Sequence, residues 1–276
     1  FQAFALQLMQ SMPETLDFPN TNVEKAPYPV PPLGICMLAA HLEGHYRVKV
    51  YDGMFDEGRS LVSMVMDFNP DYIGFSIRNI DDVVKDRIIF YPDGILEKFI
   101  RPVRAVTGAT VILGGSGFSI FPVELMKMTG AAYGIVGEAE EILPELLKRI
   151  ENKGNADDLP GVITSETLTV FRGKRHAARN SMDDRFPEMD RRIDFSGYLP
   201  KGSYSIQTKR GCSHRCIYCT YPVIEGKTFR PRNPSDIADE IEQAHRRLGY
   251  VTFEFVDSTF NDPAGHAEAI CREIIK

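Results

Sequence analysis

Residues 109–119 read ATVILGGSGFS: five residues dominated by β-branched and aliphatic side chains, then three glycines within four positions, then the start of an apolar stretch. That pattern describes a buried strand turning sharply into a helix. Outward from it, 71–77 (DYIGFSI), 131–136 (AAYGIV) and 46–51 (YRVKVY) repeat the strand pattern. Helical stretches lie between them: Leu33 to Leu42 is largely apolar, Ile95, Leu96, Phe99, Ile100 and Val103 recur at helical spacing, and Ile142, Leu143, Leu146, Leu147 and Ile150 form a stripe. The expected fold class over residues 1–150 is therefore α/β, a doubly wound, Rossmann-like parallel sheet. Residues 78–93 form a longer, partly acidic insertion. Residues 1–32 offer no clear first strand, since Phe1 to Met12 is apolar without alternation and Pro27, Pro29, Pro31 and Pro32 imply an extended run into the first helix.

The chain has 276 residues, 43% of them apolar, so disorder is not the default. A formal net charge of −6 provides no general positive field, and no nucleic-acid partner is expected. No apolar run is long enough to span a bilayer, which points to a cytoplasmic protein. Residues 151–202 shift toward Asp, Arg, Gly and Asn and read as a linker with a hairpin around Arg172-Gly173-Lys174. Arg172, Lys174, Arg175, Arg191 and Arg192 read as a solvated basic patch on it. After it, 203–208 reads as a strand, and a helix capped by Asn233 and begun by Pro234 ends at Gly249. A second strand follows at 250–256, and Asp262-Pro263 opens a helix still running at Lys276.

Of five cysteines, Cys212, Cys216 and Cys219 crowd into eight residues as C-x3-C-x2-C. An odd count clustered this way makes a poor disulfide framework and a good metal site. Three thiolates on one loop suit a 4Fe-4S cluster with one iron left free to bind a further ligand. Zinc, with His214 as a cramped fourth ligand, and three unmetallated core cysteines are the alternatives. Cys36 and Cys271 read as buried small hydrophobes. In an open α/β sheet the ligand site lies beyond the carboxyl ends of the strands, in loops 52–58, 76–80, 114–118 and 137–140. There Gly114, Gly115 and Gly117 remove side chains and Ser76, Ser116 and Ser119 offer hydroxyls. Tight turns with no ligand are the other reading of the same loops.

The motif GCSHRCIYC after a strand resembles the signature of the radical S-adenosylmethionine (SAM) superfamily, C-x3-C-x-aromatic-C, with Tyr218 as the aromatic. The resemblance implies that SAM chelates the free iron, and that an electron from the cluster cleaves its sulfonium to methionine and a 5′-deoxyadenosyl radical. It places Tyr218 near the adenine and Asp257 and Ser258 near the methionine end of SAM. Residues 203–276 would then be the first two strand–helix units of a partial TIM barrel, truncated at Lys276.

PPLGICMLAAHLEGH (31–45), VKVYDG, DYIGFSIR, LGGSGFS and GIVGEAEE, followed by that motif, are together similar to the cobalamin-binding radical SAM enzymes. The resemblance runs from about Pro31 to the chain end. It makes 1–150 a cobalamin-binding domain, with Asp52, Ser76, Arg78, Asn79, Gly114, Gly115, Ser116, Gly117, Gly137 and Glu138 around the cofactor. Many such domains carry D-x-H-x-x-G with a cobalt-ligating His; here DGMFDEG (52–58) has none. Cobalamin is thus expected without a protein imidazole, with Arg78 near its lower face; a salt bridge from Arg78 to Asp81 or Asp82 is the plain alternative. The resemblance implies methylation of an unactivated carbon of a small-molecule or peptide substrate, fed by an electron donor such as flavodoxin or ferredoxin. Rearrangement or cyclisation with the same cofactors, and a non-catalytic cobalamin or SAM sensor, are alternatives. A tRNA methylthiotransferase-like enzyme needs three further N-terminal cysteines, whereas only Cys36 precedes Cys212. No general base and no substrate-contacting residue can be named.

Overall fold

A computed structural model describes residues 2–8, 29–54, 60–81, 90–169, 185–199 and 202–276. The expected hairpin at 172–174, Asp82 and all of 9–28 lie outside the described residues. Six strands form one sheet: β1 (Gln2–Leu8), β2 (Arg47–Asp52), β3 (Tyr72–Ile77), β4 (Thr110–Gly114), β5 (Tyr133–Ile135) and β6 (Val162–Thr164). Their order is β2-β1-β3-β4-β5-β6, parallel through β5 with β6 antiparallel at the edge. The strand that sequence patterning did not locate, β1, is therefore an interior strand. Its register sets Ala3 beside both Val48 and Tyr72. Interior parallel strands as a class read as near-continuous apolar runs and have no need of polar–apolar alternation, which is the signal absent from 1–12.

Alternation within β3 and β4 explains why helices cover both sides. Ile73, Phe75, Ile77, Val111 and Leu113 face one core. That core is closed by α2 (Leu61–Phe68), by α3 (Tyr91–Ile95) running through a π-helical turn at 96–100 into α4 (Arg101–Val106), and by α5 (Ser116–Ile120) and α6 (Pro122–Thr129). On the other face Tyr72, Ile112 and Ile135 pack against Leu42 of α1 (Leu33–Leu42) and Leu146 and Leu147 of α7 (Ile142–Glu151).

Residues 185–199, including α8 (Met189–Arg192), work as a wedge. Met189, Phe195 and Tyr198 are buried in a third core that joins Ile35, Cys36 and Ala39 of α1 to Tyr204, Ile206, Ile237, Ala244 and Ile270 further on. Arg192, read from sequence as part of a solvated patch, instead pairs with Glu43 and donates to the Pro187 carbonyl at 2.7 Å.

Beyond the wedge, β7 (Tyr204–Ile206) and β10 (Phe253–Phe255) pair in parallel around α10 (Pro234–Leu248), a βαβ unit. Asn233 accepts the Ser235 amide at 3.3 Å, the expected cap. Between them, β8 (Lys209–Arg210) and β9 (Arg230–Pro231) pair antiparallel and bracket the cysteine loop, which ends in α9 (Tyr221–Ile224). The last helix, α11 (His266–Ile275), starts later than Asp262-Pro263: its N-cap position is Gly265, and the Asp262 carboxylate faces His214. Cys36 is buried as expected, but Cys271 is exposed. It follows Ile270, the core-facing residue of α11, and one helical step turns it about 100° away.

Candidate functional site

The carboxyl edge of the large sheet is stitched by its own loops. Gly115 has φ +100°, and a Cβ there would stand 2.6 Å from the Ile77 carbonyl oxygen; one on Gly117 would stand 2.8 Å from that of Arg78. These two glycines let the β4–α5 loop lie on the end of β3. Ser116 donates to the Arg78 carbonyl at 3.0 Å, and Ser119 donates to the Gly115 carbonyl while accepting the Gly137 amide, both at 2.9 Å. Ser76 lies half-buried under Gly115, whereas a Cβ on Gly114 would stand an ordinary 3.8 Å from the Ile135 carbonyl oxygen, and Arg78 and Asn79 are exposed. Asp52, expected at the cofactor, accepts the Met54 amide at 3.1 Å and the Tyr198 phenol from the wedge. Burial pushes its carboxyl up, and the Tyr198 and Met54 hydrogen bonds oppose that.

The cysteine loop is tight at its root and open at its tip. Gly211 has φ +82°, with the Thr228 carbonyl only 2.0 Å from where a Cβ would sit. The Gly211 amide donates to Glu225 and the Cys212 amide to the Gly226 carbonyl, both at 3.1 Å. Cys212 is 5% exposed, while Cys216 is exposed and Cys219 half-buried. Ile217 and Tyr218 stand out at 103% and 86% exposure. His214 is turned to Asp262 at 2.8 Å, away from a ligand role. Among the described residues no three Cys, His, Asp or Glu side chains stand close enough to hold one metal ion. A cubane binds each thiolate on a different iron, so this all-sulfur donor set fits an iron–sulfur cluster better than zinc.

Asp257 is already engaged. It accepts the amides of Thr208 (2.8 Å) and Lys209 (3.0 Å) and the Thr208 hydroxyl (2.6 Å). With the hydroxyl proton given to Asp257, His266 Nε2 at 2.7 Å is the donor to Thr208 Oγ1. Burial lowers the His266 pKa, against the pull of Asp257. Ser258 follows, half-buried.

The two regions meet through a charge pairing that no sequence pattern flagged. Arg210 reaches Glu140 at 2.5 Å and Glu138 at 3.5 Å, and Arg230 grips Glu138 with both terminal nitrogens. Burial alone would raise the Glu140 carboxyl, but the charge and hydrogen bond of Arg210 hold it below the usual carboxylate range. Glu225 goes the other way, raised by burial. α9 packs on α5, and the Tyr221 phenol, pushed up first by burial and then by Glu225, feels Arg78 as an opposing charge. The only hint in the sequence is two acids after β5 and an Arg before Cys212, and nothing in it says that they pair.

Residues 19–147 match the family model of the B12 binding domain. Over 91% of its length the chain is 25% identical to the tryptophan 2-C-methyltransferase of Streptomyces laurentii, covering 50% of that enzyme. TsrM from Kitasatospora setae, a radical S-adenosylmethionine methyltransferase solved with cobalamin and a 4Fe-4S cluster bound, matches 99% of the chain with a TM-score of 0.79 at 26% identity. Over its length the chain is thus similar to radical S-adenosylmethionine methyltransferases that bind cobalamin, with the B12 binding domain matched at 19–147. It covers half of TsrM, and it spans about half the length of the curated relatives it matches. Another relative is the hopanoid C-3 methylase of Methylococcus capsulatus, 24% identical over 89% of this chain and covering 46% of that enzyme. The cobalamin-dependent radical enzyme OxsB shares the fold, with a TM-score of 0.73 at 17% identity over all of this chain and 37% of its own. Among the described residues no helix is long and apolar enough to cross a membrane.

Proposed function

We propose that this chain carries the cobalamin- and cluster-binding parts of a SAM-dependent enzyme that methylates an unactivated carbon of a small-molecule or peptide substrate. The observation that carries the reading is the junction: the carboxyl edge of the sheet and the root of the cysteine loop touch through Glu138, Glu140, Arg210 and Arg230, which sets the two candidate cofactor sites side by side. The names of the relatives point the same way. Cys212, Cys216 and Cys219 would hold a 4Fe-4S cluster, and Arg78, Asn79, Gly114 and their stitched loops would hold cobalamin. Together these groups would supply one-electron chemistry on SAM and a methyl carrier.

The chain's own residues do the rest. Exposed Tyr218 offers a flat face to the adenine, and Ser258 a hydroxyl to the amino-acid end of SAM. Asp257, with both oxygens taken, holds the ends of β7 and β10 in register beneath them. Asp52 and Glu138 act at the cobalamin edge by fastening the wedge and the cysteine loop. Arg78 would bring a cation, and no imidazole, to bound cobalamin; nitrogen hyperfine splitting from a protein imidazole in the Co(II) spectrum would sink that assignment. An electron donor such as flavodoxin or ferredoxin completes the requirement.

The test is anaerobic reconstitution of the full-length protein with reductant and methyl-deuterated SAM, followed by mass spectrometry of copurifying molecules. Label in a product supports methylation. Deoxyadenosine without label would favour rearrangement, and neither would leave a cofactor sensor.

A further inference from the structure

We propose that Arg210 is a positioning residue, clasped by the sheet's carboxyl edge so as to set where the cysteine loop stands relative to the cobalamin domain. It lies on β8 two residues before Cys212, so a displacement of its backbone displaces the first thiol. Its side chain, 11% exposed, is engaged on every edge: Glu140 and Glu138 as above, Gln207 Oε1 from Nε at 3.0 Å, and Met37 Sδ at 3.4 Å. The opposite β9 residue, Arg230, chelates the same Glu138 and donates to the Glu225 carbonyl at 2.7 Å. Glu225 returns to the start by accepting the Gly211 amide and, at 3.4 Å, the Gln207 side chain. The result is a ring that runs Arg210, Glu138, Arg230, Glu225, Gln207 and back, with Glu140 held on Arg210 beside it, and its members come from both sides of the junction.

Adhesion does not require such a ring. The wedge of Met189, Phe195 and Tyr198 already buries apolar surface between the same two parts, and buried ion pairs are a weak source of stability. A forked guanidinium held by two carboxylates is directional and admits one arrangement. Distance between two reaction centres is what such a device would hold constant, and this part of the inference rests on the function proposed above.

The experiment compares full-length wild type with Glu140→Gln and Arg210→Lys. In protein free of both cofactors, amide exchange over 209–219 is expected to quicken about tenfold in Glu140→Gln, with the rest of the large sheet unchanged. In reconstituted protein, pulsed electron paramagnetic resonance between the reduced cluster and Co(II) is expected to give a broadened distance distribution at unchanged iron and cobalamin content. Arg210→Lys, which keeps the charge and loses the fork, should broaden it too. Unchanged exchange and distances in a folded Glu140→Gln would overturn the proposal, as would faster exchange throughout the sheet with a lowered melting temperature. Should Glu140→Gln fail to fold, the same two readouts on Arg210→Lys decide. If the wild type takes up neither iron nor cobalamin, the proposed function falls while the exchange comparison still decides the clasp.

Discussion

Two loops, both rich in small or special residues, are built on opposite plans. The β4–α5 loop, Gly114 to Ser119, is bound along its length to the neighbouring strand ends, with Ser116 on Arg78 and Ser119 on Gly115 and Gly137. The cysteine loop is bound at its root, through Gly211 and Cys212, and at His214, which meets Asp262, while Ile217 and Tyr218 at its tip touch little. The first shape is made by protein packing alone. The second roots Cys212 and leaves Cys216 exposed, so in the proposed function its tip would gain partners from what it binds.

The sharpest way to break this contrast is Cys216→Ser. Iron loading and SAM cleavage should fall to background, beyond the ~10–100-fold cost of losing an outer-shell partner, while cobalamin uptake is kept. The melting temperature of the metal-free protein should move by no more than about 0.5 kcal/mol allows, since Cys216 is exposed. Gly115→Val should do the reverse. Its Cβ meets the Ile77 carbonyl at a positive φ, so a loss of about 2–4 kcal/mol is expected, seen as a melting temperature lower by about 5–10 °C and weaker cobalamin binding with cluster loading intact.

Smaller effects separate the supports of each region. Tyr198→Phe leaves Asp52 without its phenol donor and should cost about 1–2 kcal/mol in thermal unfolding. Burial raises the Asp52 carboxyl in the fold, so its contribution is complete below the ordinary Asp value of about 3.9 and is lost as pH rises through the raised value. Tyr198→Phe should move that loss to higher pH, and Asp52→Asn should abolish it. His266 runs oppositely. Its folded pKa is lowered, so stability is full above about 6.5 and declines as pH falls below it; His266→Gln should flatten that acid limb.

Most strands and helices were legible because each announces itself locally. β3 and β4 are five or six apolar residues bounded by turns, and α7 shows its stripe within ten residues. β1 was not, because an interior parallel strand shows no alternation, and β6 was hidden within a stretch of linker composition. The three cysteines were legible from spacing alone, since one loop carries them all. The engagement of Asp52, Glu138 and Asp257 by protein groups was not, and neither was Arg210.

By itself the sequence determined a doubly wound α/β sheet, a βαβ unit after it, and a three-thiol loop at a strand end. Those properties follow from neighbours along the chain, through side-chain period, turn residues and ligand spacing. Only the tertiary structure decided which of the polar residues at those strand ends face a ligand and which face one another. Tyr198 meets Asp52 across 146 residues, Arg230 meets Glu138 across 92, and Thr208 meets Asp257 across 49. Contacts at such separations leave no period in the sequence, because they exist only after the sheet, the wedge and the βαβ unit have packed and a buried charge has had to find its partner.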